Sequence, residues 1–246
     1  MRLLFVNPNT SRSVTELIET AARAVAPPEV EITALTAPRG VPYIATRAEA
    51  VIGGGVALEM LAEHHSGHDA AVIAAFGDPG LGGARELFDI PVIGLAEAGM
   101  LTACTLGRRF AIVTFSATLG PWYEECVAWH GLEARCAGIH TVDAAFEEVG
   151  RVQKDAEGLL VDLAHGAIGG GADAIVLAGA PLSGLAARVK GKIPVPVVDC
   201  VAAAVGLAAS LVRMAPAKAE LGSFRRPAPK ATIGLPAPLA ARIEHR

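Results

Sequence analysis

The chain has 246 residues, of which 52% are apolar and 19% are charged, and it carries a formal net charge of −4 with a pI near 6.0. The length suffices for one large domain or two modest ones, and the apolar content excludes an intrinsically disordered chain. The negative charge and an aromatic content of only 4% exclude a nucleic-acid partner, because they provide neither a basic surface nor a platform for base stacking.

Neither apolar run near the ends of the chain is typical of a targeting or membrane segment. The run at 3–6 stops at Asn7-Pro8 and is too short for a signal peptide, and the run at 201–212 is too short to cross a bilayer. We therefore expect a cytoplasmic protein with no membrane partner. The four cysteines form no CxxC pair, which favours reduced, mostly buried thiols and predicts no metal site: Cys104, Cys126, Cys136 and Cys200.

Continuous apolar runs, rather than alternating ones, are typical of parallel strands that helices cover on both faces. Taken in chain order, they predict strands at 2–7, 31–36, 70–75, 91–95, 110–114, 134–140, 174–179 and 195–199. Helices are predicted over much of 11–25, 46–64, 96–106, 119–130, 143–166 and 201–214. Thr10 or Ser11 can cap the first helix, and Pro121 suits the first turn of the fourth.

An internal repeat divides the chain into two similar halves. The segment 69–75, with sequence DAAVIAA, resembles DAIVLAG at 173–179, and the following IPVI at 90–93 resembles VPVV at 195–198. A weaker pair joins the strand and polar loop at 3–11 to those at 110–118. The repeat therefore predicts an α/β fold built from two parallel-sheet halves.

Ligands of open parallel sheets bind beyond the carboxyl ends of the strands. The loops 7–11, 75–81, 114–118 and 179–184 are thus expected to meet at one cleft. Helix N-termini next to polar loops favour an anionic group, although the same residues also form helix caps and turns. Asp78 is either an acid of the site or a turn former. Ser183 is either a ligand contact or a helix cap. Cys200 follows a strand end and either approaches the cleft or is simply buried.

Three segments together resemble the hydantoin and allantoin racemases of the aspartate/glutamate racemase superfamily, from about residue 2 to about residue 214. They are FVNPNTS at 5–11, AFGDPGL at 75–81, and AIVLAGAP at 174–181 followed by PVPVVD at 194–199. The resemblance implies two α/β subdomains related by a pseudo-twofold axis, with the substrate in the cleft between them. It also implies self-association and racemisation by two thiols, without a cofactor.

This sequence has neither of the two thiols. The cysteine that precedes Phe-Gly-Asp-Pro-Gly in the family is replaced here by Ala75, and the one that follows Val-Leu-Gly is replaced by Gly179. A methyl group and a hydrogen cannot exchange protons. The resemblance therefore implies a hydantoin racemase-like isomerase of a small cyclic amide or amino-acid-derived carboxylate in which the two-thiol mechanism is absent. A lyase or hydrolase that uses Asp78 with water is the first alternative, and a non-catalytic binding protein is the second.

The predicted subdomains are 1–96 with 200–220, and 97–199, which leaves 221–246 as a tail. The candidate catalytic residues are Asp78, Ser183 and Cys200. The candidate substrate-binding residues surround the four loops: Asn9, Thr10, Ala75, Phe76, Thr114, Ser116, Thr118, Gly179, Ala180 and Pro181. Beyond its small-molecule substrate, the only partner that we expect is a second copy of the chain.

Overall fold

A computed structural model describes residues 1–143 and 148–246. The strands of the described residues are β1 (Arg2–Asn7), β2 (Glu31–Thr36), β3 (Ala70–Ile73), β4 (Val92–Gly94), β5 (Phe110–Thr114), β6 (Cys136–Thr141), β7 (Ala174–Leu177) and β8 (Val197–Asp199). The helices are α1 (Arg12–Val25), α2 (Arg47–His64), α3 (Leu81–Leu87), α4 (Leu95–Leu106), α5 (Gly120–Trp129), α6 (Val152–Asp155), α7 (Glu157–Gly169), α8 (Leu185–Arg188), α9 (Cys200–Met214) and α10 (Ala237–Glu244).

The strands form two parallel sheets of four strands with the same topology. The first has the order β2-β1-β3-β4 and the second the order β6-β5-β7-β8, so that β5 to β8 repeat β1 to β4. The central strands β5, β3 and β7 are buried throughout, and β1 is buried from its second residue onward. The predicted α/β fold with two similar parallel sheets is confirmed.

The ends of several predicted elements differ from those observed. The strands predicted to reach residues 75 and 179 end at Ile73 and Leu177, because Ala74 and Ala178 make the last ladder hydrogen bonds before the chain turns. The predicted helix over 143–166 includes residues 144–147, which lie outside the described residues. In its described part, α6 and α7 are separated at Ala156. Ser11 caps α1 and Pro121 lies in the first turn of α5, as predicted.

The two halves exchange helices across a shared hydrophobic core. α4 follows the last strand of the first sheet but packs against β7 and β8 of the second sheet. α9 follows the last strand of the second sheet and packs against β3 and β4 of the first, and the two helices also pack against each other. The division at 96/97 and 199/200 stays a prediction.

The segment after α9 covers one corner of the first sheet and ends in a helix that the sequence analysis did not predict. This helix, α10, packs against α2 and buries Leu239 and Ala240. Arg242 donates hydrogen bonds to the Leu87 carbonyl at 2.8 Å and to Asp89 at 3.0 Å. Within the described ranges, no helix is both long enough and apolar enough to cross a membrane.

Candidate functional site

The loop after β1 holds a buried amide with an available donor. The Asn9 Oδ1 accepts hydrogen bonds from the Asn7 Nδ2 at 3.0 Å and from the Ser11 backbone N–H at 2.9 Å, which fixes the orientation of the amide. Among the described residues, none accepts a hydrogen bond from the Asn9 Nδ2. The neighbouring Thr10 N–H donates to the Val41 carbonyl at 2.9 Å, which ties this loop to the β2–α2 connection.

The β2–α2 connection contacts the polar loop after β5 through Tyr43. The Tyr43 ring lies 5.6 Å from the Phe115 ring, and its hydroxyl lies near the side chains of Ser116 and Thr118. Burial raises the pKa of Tyr43 to about 12, although the nearby hydroxyl groups of Ser116 and Thr118 act in the opposite direction. The two hydroxyls of Ser116 and Thr118 lie 3.0 Å apart. These candidate binding residues of the second half thus meet the first half around Tyr43.

A second tyrosine joins the loops that follow β3 and β7. The Tyr123 ring lies 4.6 Å from the Phe76 ring, and its hydroxyl lies 3.6 Å from the point where a Cβ on Gly179 would sit. The Thr114 side chain lies near the Tyr123 hydroxyl and donates to the Ala178 carbonyl at 2.9 Å. Burial raises the pKa of Tyr123 well above its ordinary value, so the hydroxyl stays protonated at neutral pH.

The two positions at which the resemblance implies thiols lie at equivalent places, two residues beyond β3 and β7. Ala75 and Gly179 are both buried. Gly179 has a φ of 114°, and a Cβ added there would lie 2.9 Å from the Phe115 Cε1. A larger residue at 179 would therefore have both a strained backbone and a steric conflict.

Several backbone donors around these positions are unused. The N–H groups of Ala75, Phe76, Gly179 and Ala180 donate to no acceptor in the parts of the chain that the structure describes. Buried backbone N–H groups are normally paired, so this set favours a bound ligand or water as their acceptor. Pro181 follows in the turn Ala180–Leu182 and has no N–H to contribute.

Asp78 has both carboxylate oxygens engaged. Its Oδ1 accepts from the Ala96 N–H at 2.8 Å, and its Oδ2 accepts from the Glu97 N–H at 2.9 Å and lies 2.9 Å from the His130 Nε2. The side chain is 1% exposed. The structure thus places Asp78 at the positive N-terminus of α4, where it satisfies two of the free helix donors. Its proposed action on a cleft water stays a prediction.

The other two candidate catalytic residues lie within local packing. Ser183 donates to the Ala180 carbonyl at 2.6 Å, within its own turn. Cys200 donates to the Leu177 carbonyl at 3.4 Å and lies against Gly99 of α4, on the seam between the halves. Burial first, and then the negative charge of Asp199 and Asp78, raises the pKa of Cys200 well above its ordinary value. The catalytic roles of both residues stay predictions.

Sequence reasoning missed a cluster next to Asp78. One ligand atom each from Asp78, Cys126 and His130 lies within 4.8 Å of the others, so these residues can hold a metal ion. The His130 Nδ1 lies 3.7 Å from Glu97, which forms a two-point ion pair with Arg85. Burial, followed by the charge of Asp78, raises the pKa of Cys126. Cys126 and His130 are four residues apart at the end of α5, and Asp78 is distant in sequence. The three residues form no short motif that sequence reasoning could have recognised.

Comparison with known proteins adds a family match across most of the chain. Residues 3–208 match the Asp/Glu/Hydantoin racemase family. The chain is 33% identical to the hydantoin racemase of Rhizobium meliloti, with 95% of this chain and 98% of that protein covered. It is 35% identical to the solved allantoin racemase from Klebsiella pneumoniae, with a TM-score of 0.86 and coverage of 95% and 96%. The allantoin racemase structure from Pseudomonas fluorescens is 31% identical, with a TM-score of 0.87 and coverage of 95% and 100%.

Proposed function

This chain belongs to the Asp/Glu/Hydantoin racemase family, and from that premise we propose that the loops after β1, β3, β5 and β7 bind a small cyclic amide or an amino-acid-derived carboxylate. It is a racemase-family enzyme similar to hydantoin and allantoin racemases. The observation that carries the substrate class is the set of unused donors, namely the Asn9 amide and the four backbone N–H groups.

These donors support a chemistry that does not need the missing thiols. The proton at a stereocentre next to a carbonyl is lost more easily when fixed donors stabilise the developing enolate oxygen. In the cleft, water takes this proton and returns one to either face of the planar enolate. The reaction is an isomerisation without a cofactor. It is slower than in a two-thiol enzyme, because positioned acid–base groups normally contribute about 10²–10⁴-fold.

The deciding experiment uses a 5-substituted hydantoin in deuterated water, with exchange and products followed by NMR. We expect binding, slow incorporation of deuterium at the stereocentre and loss of optical activity. Asn9→Ala should weaken binding by about 1–3 kcal/mol in calorimetry, because a buried acceptor loses its donor. Ser13→Ala is the matched control on the same segment, since the Ser13 hydroxyl contacts only the Ser11 hydroxyl among the hydrogen bonds of the described residues. Unchanged affinity of Asn9→Ala, or isomerisation as rapid as in two-thiol relatives, would contradict the proposal.

Tyr123 supports a lyase as the second candidate function. In an elimination, water removes the proton and a single donor protonates the leaving group, and in a decarboxylation a single donor protonates the enolate after carbon dioxide has left. Racemisation instead needs proton exchange on both faces. Tyr123 is a protonated hydroxyl beside Gly179 and is 2% exposed. If the enzyme is a lyase, the NMR experiment yields a new product, and Tyr123→Phe removes product formation while leaving substrate affinity intact. Binding with neither deuterium exchange nor product would identify the non-catalytic alternative.

Cytoplasmic location and self-association are also part of the proposal. Apolar side chains on the outer face of α4 support self-association, since Leu101 is 43% exposed and Leu106 is 48% exposed. Light scattering coupled to gel filtration should give the mass of at least a dimer. Leu101→Lys should lower that mass, and a monomeric wild type at all concentrations would contradict the expectation.

A further inference from the structure

A cavity of about 620 Å³ lies on the outer side of the loop that follows β3. Its walls come from α2, the start of α3, and α5, and it includes Gly77–Gly82, Trp122 and Trp129. Neither Ala75 nor Gly179 lines it. The cavity thus shares the loop after β3 with the cleft proposed for the substrate but is lined by neither of these two positions, and the cluster at its base needs its own explanation.

Three different ligand types meet at the base of this cavity. Asp78 and Cys126 line the cavity wall, and His130 lies one helical turn beyond Cys126 at the end of α5. One oxygen, one sulfur and one nitrogen atom lie within 4.8 Å of one another. The Cys126 residue is 5% exposed and the His130 side chain 6% exposed. Zinc accepts this combination of carboxylate, thiolate and imidazole, and catalytic zinc sites use three protein ligands with one open position.

The surroundings orient these groups in the manner of a metal site. Metal-bound histidines usually direct their second ring nitrogen to a carboxylate, and here the His130 Nδ1 lies 3.7 Å from Glu97. Glu97 is held by Arg85, and Asp78 by two N–H groups of α4. With Cys126 ionised, two carboxylates and one thiolate face a single guanidinium. The formal excess of two negative charges matches one divalent cation.

We propose that Asp78, Cys126 and His130 bind one zinc ion whose fourth coordination position opens into this cavity. On binding, the Cys126 thiol gives its proton to the buffer, and the His130 Nε2 exchanges its contact with Asp78 for a bond to the metal. The open position takes water or a small oxygen-donor ligand. The site goes beyond the proposed function, and it does not depend on occupancy of the substrate cleft.

Cobalt(II) titrated into the full-length protein after chelator treatment tests the site, because cobalt bound to a thiolate gives a charge-transfer band in the near ultraviolet. We expect this band to saturate at one equivalent and to disappear when zinc is added. Cys126→Ser should remove it, and the matched control Cys136→Ser, on strand β6, should retain it. Absence of the band in the wild type, or its persistence in Cys126→Ser, overturns the proposal.

A second variant covers the case in which Cys126→Ser fails to fold, as judged by circular dichroism. His130→Gln keeps the thiolate band but should weaken cobalt binding by ~10-fold or more, since an imidazole ligand is lost. Unchanged cobalt affinity in His130→Gln overturns the site. Because the readout is the spectrum of the metal itself, its failure is distinct from failure of the hydantoin experiment.

Discussion

Helices α4 and α9 occupy equivalent places in the two halves, yet the carboxylates that cap their N-termini come from different segments. The loop after β3 supplies one of them, whereas the loop after β7 supplies none. In the first half, Asp78 extends from the loop after β3 to the N-terminus of α4 and accepts hydrogen bonds from two backbone N–H groups. In the second half, α9 is capped by Asp199, the residue directly before it, which accepts from the N–H groups of Val201 and Ala202. Both helices receive the negative charge that their N-termini favour, but from different sequence positions.

The loops after β3 and β7 also differ in the hydrogen bonds that connect them to the rest of the molecule. Asp78 also contacts His130, so the first loop is tied to α4 and to the end of α5 at once. The second loop is hydrogen-bonded within its own half, through Gly184 to Asp199 at 2.5 Å and through Ser183 to Gln153 at 3.1 Å, although its turn Ala180–Leu182 also packs against α1 of the first half. The two loops thus share a backbone topology and both pack across the halves, but Asp78 gives the first loop buried polar contacts to α4 and α5.

The largest expected effect comes from removing the polar contacts of Asp78. Asp78→Ala leaves two helix N–H groups and the nearly buried His130 without their acceptor, and should lower the free energy of unfolding by about 3–5 kcal/mol. Ser183→Ala is the matched change in the second loop. It removes a single hydrogen bond, to Ala180, and should cost about 1 kcal/mol. Urea denaturation measures both values, and equal losses would show that the two loops are connected alike.

The next largest effect is the difference in stability between a cysteine placed at position 179 and one placed at position 75. Gly179→Cys should destabilise the fold by about 1–3 kcal/mol, because its φ of 114° strains any side chain and its Cβ meets Phe115. Ala75 already has a Cβ, so Ala75→Cys should change stability by less than about 1 kcal/mol. In the deuterium experiment, Ala75→Cys should also speed exchange, whereas Gly179→Cys should not. A stable and active Gly179→Cys would show that the second loop relaxes more easily than its geometry indicates.

The sequence predicted the sheets well, because parallel strands are continuous apolar runs and the repeat identifies them twice. Both sheets follow from this pattern, including the correspondence of the strands at 70–73 and 174–177. The helix at 237–244 was not predictable in this way. Its surroundings are rich in proline, and it is held by contacts such as Leu239 against α2, which a local pattern does not contain.

For the candidate site, the rule that ligands bind at strand carboxyl ends directed attention to four loops, including those of Asn9 and Ser116, and their role in binding stays a prediction. The rule did not identify Tyr43, Tyr123 or His130. These residues come from a long connection and from a helix, and they reach the loops only through tertiary packing. Because no short motif encodes that packing, their contribution is visible only in the folded chain.

The smallest effect concerns the titration of Asp199, the carboxylate that caps α9. Burial raises the pKa of Asp199 above its ordinary value, although the N–H groups of Gly184, Ala202 and Val201 oppose the shift. A folded state with a raised carboxyl pKa binds the proton more tightly than the unfolded chain does. The stability that Asp199 contributes is therefore greatest below the ordinary pKa, and it declines as the pH rises through the folded value.

Asp199→Asn keeps an oxygen that can accept from the helix but removes this titration. At neutral pH the variant should differ from the wild type by less than about 1 kcal/mol. As the pH falls through the weakly acidic range, the wild type should gain stability relative to the variant. Urea unfolding at a series of pH values measures this difference, and Glu220→Gln, an exposed change in the segment after α9, serves as the control. Parallel pH profiles for wild type and Asp199→Asn would show that this cap is as well solvated as a surface carboxylate.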